Sequence, residues 1–131
     1  VPHGAGLSSS AALELATLRA FSAVSEIPWN AREMALAGQR AENEWVGVNC
    51  GIMDQMISAR GERGHALLID CRTLEADAVP LPTGTLAVIL DTATRRGLVE
   101  SAYNERRAQC EEAPRILGVK ALRDVTVAEC A

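Results

Sequence analysis

The feature that most constrains this chain is the run GAGLSSSAALE at positions 4–14, where glycines and serines pass straight into helix-favouring alanine and leucine. Glycine lets a backbone approach a ligand closely, the first amides of a helix have no intrahelical partner, and the helix dipole favours negative charge at that end. The run therefore reads as an anion site, phosphate above all; a flexible loop closed by a serine cap is the alternative. It is not a Walker loop, because no Gly-Lys-Ser/Thr ending follows and Lys120 is the only lysine. It is not the dinucleotide fingerprint either, since its glycine spacing differs and no strand leads into it. With no initiator Met ahead of this loop, the sequence implies residues upstream of Val1.

What must support such a loop is a core poor in rings. The chain has 131 residues, 48% of them apolar, and a net charge of −4, which suits one soluble globular domain. Phe21, Trp29, Trp45 and Tyr103 are its only aromatics, so Ala, Leu, Val and Ile on long helices must fill the interior. There is no basic patch of nucleic-acid type, no apolar run of membrane-spanning length and no signal-type segment. Cys50, Cys71, Cys110 and Cys130 form no CxxC pair, which argues against a zinc or redox motif and for reduced thiols in a cytoplasmic protein.

Composition and punctuation predict the elements. Ser10 to about Ser25 reads as a helix with a serine poised to cap it, ended by Pro28. Asn30 as N-cap, with Glu33 three residues on, opens a second helix whose buried face would carry Met34, Gly38, Ala41 and Trp45. Residues 47–58 read as a turn and a short helix, and Gly61 and Gly64 punctuate the chain before strands. Residues 66–70 and 86–90 look like buried strands, with a weaker one at 77–81 between them. From Val99 a helix runs toward Gly118, with a kink or break expected at Pro114, where an interior proline costs roughly 3 kcal/mol. Consecutive strands among more numerous helices argue for an α+β fold rather than a doubly wound parallel sheet.

A second chemical signal is AENEWVGVNCGIMDQ at 41–55, in which Asp54 follows a tight turn at Gly51 and sits among apolar residues. Such a carboxylate is either an ordinary first-turn helix residue or a functional acid in a partly dry site.

Together these segments resemble the galactokinase branch of the GHMP kinase superfamily. GAGLSSSAALE is similar to its second signature, AENEWVGVNCGIMDQ to its catalytic-aspartate segment, and LLIDCRTLE and SAYNERRAQCE to its downstream blocks, an ordered resemblance from Pro2 to about Cys130. The resemblance implies the ribosomal protein S5 domain 2-like, N-terminal portion of a GHMP kinase, incomplete, with helices packed on an antiparallel or mixed sheet. Residues 1–131 would be part of the ATP-binding domain, with those from about 95 onward leading toward a second domain.

The implied roles fall on specific residues. Gly4, Ala5, Gly6, Leu7, Ser8, Ser9 and Ser10 would wrap the phosphates of ATP, with Ser9 or Ser10 near Mg2+. Glu42, twelve positions before Asp54, would be the acidic magnesium ligand, and hard oxygen donors suit that ion; otherwise it is a solvated helix glutamate. Asp54 would be the catalytic aspartate, as base or as orienting group. Gly51 and Tyr103 would touch the sugar, Cys50 would simply pack, Arg95 would lie close to the site, and Arg106 and Arg107 would form salt links on a helix surface.

The family also has an earlier segment with a catalytic arginine and a sugar-gripping Glu-His-x-Asp cluster, and a later glycine-rich motif; neither is in this sequence. The reading is thus an ATP-dependent kinase making galactose 1-phosphate, with the fragment inactive by itself. Its alternatives are a kinase for another hexose such as N-acetylgalactosamine, and a non-catalytic galactokinase-like sensor. The partners implied are ATP and galactose, no nucleic acid and no membrane. A sheet edge left uncovered implies self-association.

Overall fold

The structure, a computed structural model, describes residues 1–91 and 99–129. The chain divides into two compact units, Val1–Arg95 and Arg96–Ala131.

In the first unit three helices stack on a hairpin, the α+β arrangement the sequence predicts. Helix α1 is Ser9–Val24, α2 is Ala31–Ala41, and α3 is Met53–Arg60. The end of α1 is tied off locally: Ser22 is buried, its hydroxyl donates to the carbonyl of Ile27 at 2.6 Å, and the Ile27 amide donates back to the Ser22 carbonyl at 2.9 Å. Pro28 follows, and Arg19 of α1 lies 5.0 Å from the centre of the Trp29 ring. Asn30 caps α2 as expected, its Oδ1 accepting from the Glu33 amide at 3.2 Å.

The buried stripe of α2 differs from the expected one. Ala35, Gly38 and then Glu42 face inward, whereas Trp45 is 88% exposed. The helix widens into a π-turn over Glu42–Val46, and Gly47 ends it with φ +81°. The wider turn breaks the 3.6-residue period from which Trp45 was placed. Small residues at Ala11, Ala35 and Gly38 let α1, α2 and α3 approach closely: a Cβ on Gly38 would lie 3.0 Å from Leu15 Cδ2 and 3.3 Å from Gln55 Cγ.

Strand β1, His65–Ile69, pairs antiparallel with β2, Ala76–Pro80, in the register His65 to Pro80 and Ile69 to Ala76. Asp70 closes the turn between them, its Oδ1 accepting from the amides of Arg72 at 2.8 Å and Thr73 at 3.2 Å. Ala35, Ile52, Met56 and Ala76 form the core, with Ala59, Leu67, Ile69 and Leu74 packed against it. Helices and hairpin therefore share one apolar interior. The weaker expected strand at 77–81 is real, displaced by one residue. The stronger one at 86–90 is not: those residues form no strand, and Leu86 and Leu90 are 85% and 84% exposed. Apolar, β-favouring composition makes no strand without a neighbour to satisfy its backbone groups, and no described residue pairs with it.

In the second unit α4 spans Val99–Leu117. Of the kink or break expected at Pro114, the break does not occur. The helix runs on to a Schellman ending, in which the Val119 amide donates to the Pro114 carbonyl at 3.0 Å, the Gly118 amide donates to the Arg115 carbonyl at 3.3 Å, and Gly118 has φ +67°. Proline is tolerated because it already stands in the last turn. Arg107 pairs with Glu111 at 3.0 Å as expected, while Arg106 bonds Gln109 instead of a carboxylate. No helix among the described residues is long and apolar enough to cross a membrane.

Candidate functional site

The glycine-rich loop enters α1 through left-handed backbone. Gly4 and Gly6 each have φ 73°, and Ser8, at the N-cap, has φ 51° and ψ 46°. The Ser8 carbonyl accepts from Ala12 at 3.0 Å, but its side chain makes no capping hydrogen bond. The expected serine cap is therefore missing, because a left-handed N-cap turns its side chain away from the first-turn amides that an extended one would meet. Those amides, at Ser9 and Ser10, point their dipole end at whatever sits before α1. Successive amides in a backbone that enters and leaves the left-handed region form an anion-binding concavity. Of the loop residues, Gly4, Gly6 and Ser10 are exposed, and Ala5, Leu7, Ser8 and Ser9 are half-buried.

One turn along α1 from Ser10, on the same face, stands Glu14. Its carboxyl lies beside that of Glu42, close enough for the two acids to interact. The Gln55 Nε2 amide donates to Glu14 Oε2 at 3.5 Å. Gly38 makes room for the group, since a Cβ there would come within 3.2 Å of Glu14 Oε2. Partial burial, then the contact with Glu42 and its charge, raise the Glu14 carboxyl to about 7, against a lowering by Gln55. Glu42 is 94% buried, the complement of its 6% exposure, so the solvated-glutamate alternative is excluded by the structure. Glu42 Oε2 and Gln55 Oε1 are both buried without a hydrogen-bond partner among the described residues.

Gln55 also links this cluster to the segment before α3. Its Nε2 reaches Cys50 Sγ at 3.7 Å; the Cys50 amide donates to Asn43 Oδ1 at 3.0 Å, and Gln39 Nε2 donates to the Cys50 carbonyl at 3.2 Å. Cys50 is thus more than packing. Burial above all, with the Glu42 and Glu14 charges, raises its thiol pKa and keeps it protonated, while the Gln55 bond opposes the shift. Asp54 lies in the first turn of α3, half-buried, between exposed Met53 and buried Gln55. No described residue pairs with its carboxylate, which leaves it open to a ligand. The backbone of Gly51 is not left-handed, and nothing lies within 4 Å of the place a Cβ would take there; the glycine that makes the turn here is Gly47, not Gly51. Tyr103 is an exposed residue of α4 in the second unit. Arg95 lies outside the described residues.

The structure thus brings Glu42, the loop-bearing helix α1 and the Asp54-bearing helix α3 into one polar cluster. Glu14 and Gln55, which sequence reasoning missed, are its joints. The one signal for them was Gly38: a glycine inside a helix marks a close approach, here of the two side chains.

Comparison with known proteins now gives the class. Residues 1–62 match the GHMP kinases N terminal domain. The particular likeness is to galactokinase. The crystal structure of Lactococcus lactis galactokinase complexed with galactose matches with a TM-score of 0.82 and 33% identity, over 96% of this chain and 34% of that one. The chain is galactokinase-like, and it spans about a third of the length of that relative.

Proposed function

We propose that this chain is the phosphate-loop and catalytic-aspartate part of an ATP-dependent kinase that converts galactose to galactose 1-phosphate. The observation that carries the reading is the likeness over 96% of the chain to a galactokinase crystallised with galactose. The site geometry supports it. The uncapped amides of residues 4–10 bind the ATP phosphates. The orphaned, buried oxygen of Glu42 fits a small hard cation, and Mg2+ takes one or two carboxylates with phosphate oxygens and waters completing its shell. Glu42 with the hydroxyls of Ser9 and Ser10 would hold that ion. When bound, it neutralises charge on the phosphate oxygens.

Asp54 faces the attacking sugar hydroxyl and accepts its proton or orients it for in-line attack. Its place in the first turn of α3 suits an acidic side chain, which the helix dipole favours there, and the Gln55–Glu14 contact fixes that helix relative to the phosphate loop. The Gly51 backbone contacts the sugar, the glycine giving an approach that no internal crowding demands.

The test is phosphoryl transfer from ATP by the full-length protein over a panel that includes galactose and N-acetylgalactosamine. Galactose is expected to be the preferred acceptor, and Asp54→Ala to lower kcat by about 10²–10⁴-fold with little change in KM. Preference for the acetylated sugar would make this a kinase of a different hexose, and ATP binding without transfer to any sugar would make it a sensor. Full activity in Asp54→Ala would remove the role given to that residue.

A further inference from the structure

Two carboxyls in contact in a partly dry site cannot both ionise unless a positive charge joins them. Glu14 and Glu42 are such a pair, and among the described residues no Lys, Arg or His forms an ion pair with either. An independent observation points the same way. The head group of Gln55, 1% exposed, sits against Glu14 through its Nε2, yet its carbonyl oxygen Oε1 receives no hydrogen bond among the described residues. Buried carbonyl oxygens are nearly always satisfied. Three oxygen-bearing side chains from three elements therefore converge with too few donors among them. A further N–H donor would relieve one oxygen; a cation between the two carboxyls would neutralise the pair.

We propose that Glu14 is a second carboxylate of the divalent-cation site, acting with Glu42. The inference rests on the reading of Glu42 as a magnesium residue and extends it. Glu14 is suited to the part by position. It lies one turn from Ser10 on the same face of α1, so an ion held by Ser10 and Glu42 has Glu14 beside it. Gly38 keeps that space clear, since any larger residue would press on Glu14 Oε2 at 3.2 Å. Gln55 then serves as a positioning residue that holds the Glu14 carboxylate from the α3 side.

Binding of Mn2+ to the full-length protein, followed by loss of the free-ion electron paramagnetic resonance signal in the presence of ADP, tests this without any turnover. Glu14→Gln keeps the shape and can still accept from Gln55, but removes the charge. The dissociation constant for Mn2+ is expected to rise about tenfold or more, while the thermal melting temperature stays at or above that of the wild type. A purely structural Glu14 would leave the metal affinity of Glu14→Gln unchanged whatever its melting temperature, and that result overturns the proposal. Glu14→Ala serves as the second variant and must show the same loss of affinity. If the wild type binds Mn2+, Glu42→Gln abolishes binding and both Glu14 variants stay within about twofold of the wild type, Glu14 has no part in the site although Glu42 does. If the wild type itself binds no Mn2+ with ADP, the reading of Glu42 falls and this inference falls with it.

Discussion

Glu14 shows how a single side chain ties local packing to a measurable property. In the absence of a divalent cation its proton is held more tightly in the folded chain than in the unfolded one, where its pKa is near 4.5, because burial, Glu42 and the charge of that neighbour raise it to about 7. The groups facing it from the other packed elements are Glu42 from the π-turn and Gln55 from α3, with Cys50 beyond. Since the native state binds the extra proton, this group stabilises the fold fully below about pH 4.5, and the contribution is lost as pH rises through about 7. Urea unfolding of the metal-free protein across that window should show stability falling with pH, and Glu14→Gln should flatten the slope. An unchanged slope in the variant would assign the pH dependence elsewhere. None of this was legible in the sequence, where Glu14 reads as one more helix-favouring residue; its chemistry comes from burial and from Glu42, 28 positions away by residue number.

Elements were legible where their boundaries are written in local chemistry. Asn30 is the clearest case: its side chain accepts from the Glu33 amide, so Asn30→Ala should cost about 1 kcal/mol in chemical denaturation. A loss below a few tenths would mean that packing of Ala35 and Gly38 sets the start of α2 without its cap. The ends of α1 and α4 were also readable from Pro28 and Gly118. What was not readable depended on partners. Residues 86–90 carry the composition of a strand but no described neighbour to pair with, while the less apolar 76–80 became a strand because β1 lies beside it. Ser8 had the right residue type for a cap but the wrong backbone, and Trp45 was placed by a period that the π-turn interrupts. At the site, the loop and Asp54 were visible as motifs; the cluster joining them required three helices to meet.

At the scale of the whole chain, apolar surface is left uncovered in the first unit. Its sheet has two strands among the described residues, so each has an open edge, and Leu68 on β1 is 65% exposed. The run 86–90 exposes Val88 and Ile89 as well, at 70% and 66%, and carries no charge. A two-stranded hairpin is marginal alone, and uncharged β-favouring segments beside open edges are the usual sites of pairing between chains. The 131-residue chain expressed alone should therefore self-associate, with its apparent mass in sedimentation rising with concentration. Val88→Lys with Ile89→Glu places charge in that run without touching the core residues Ala35, Ile52, Met56 and Ala76, so the fold should survive while association weakens. Association that is unaffected by the double substitution would move the contact to another surface, the exposed Phe21 and Val24 at the end of α1 being the next candidates. A wild-type chain that remains a monomer at high concentration would show that these edges are protected by the chain itself.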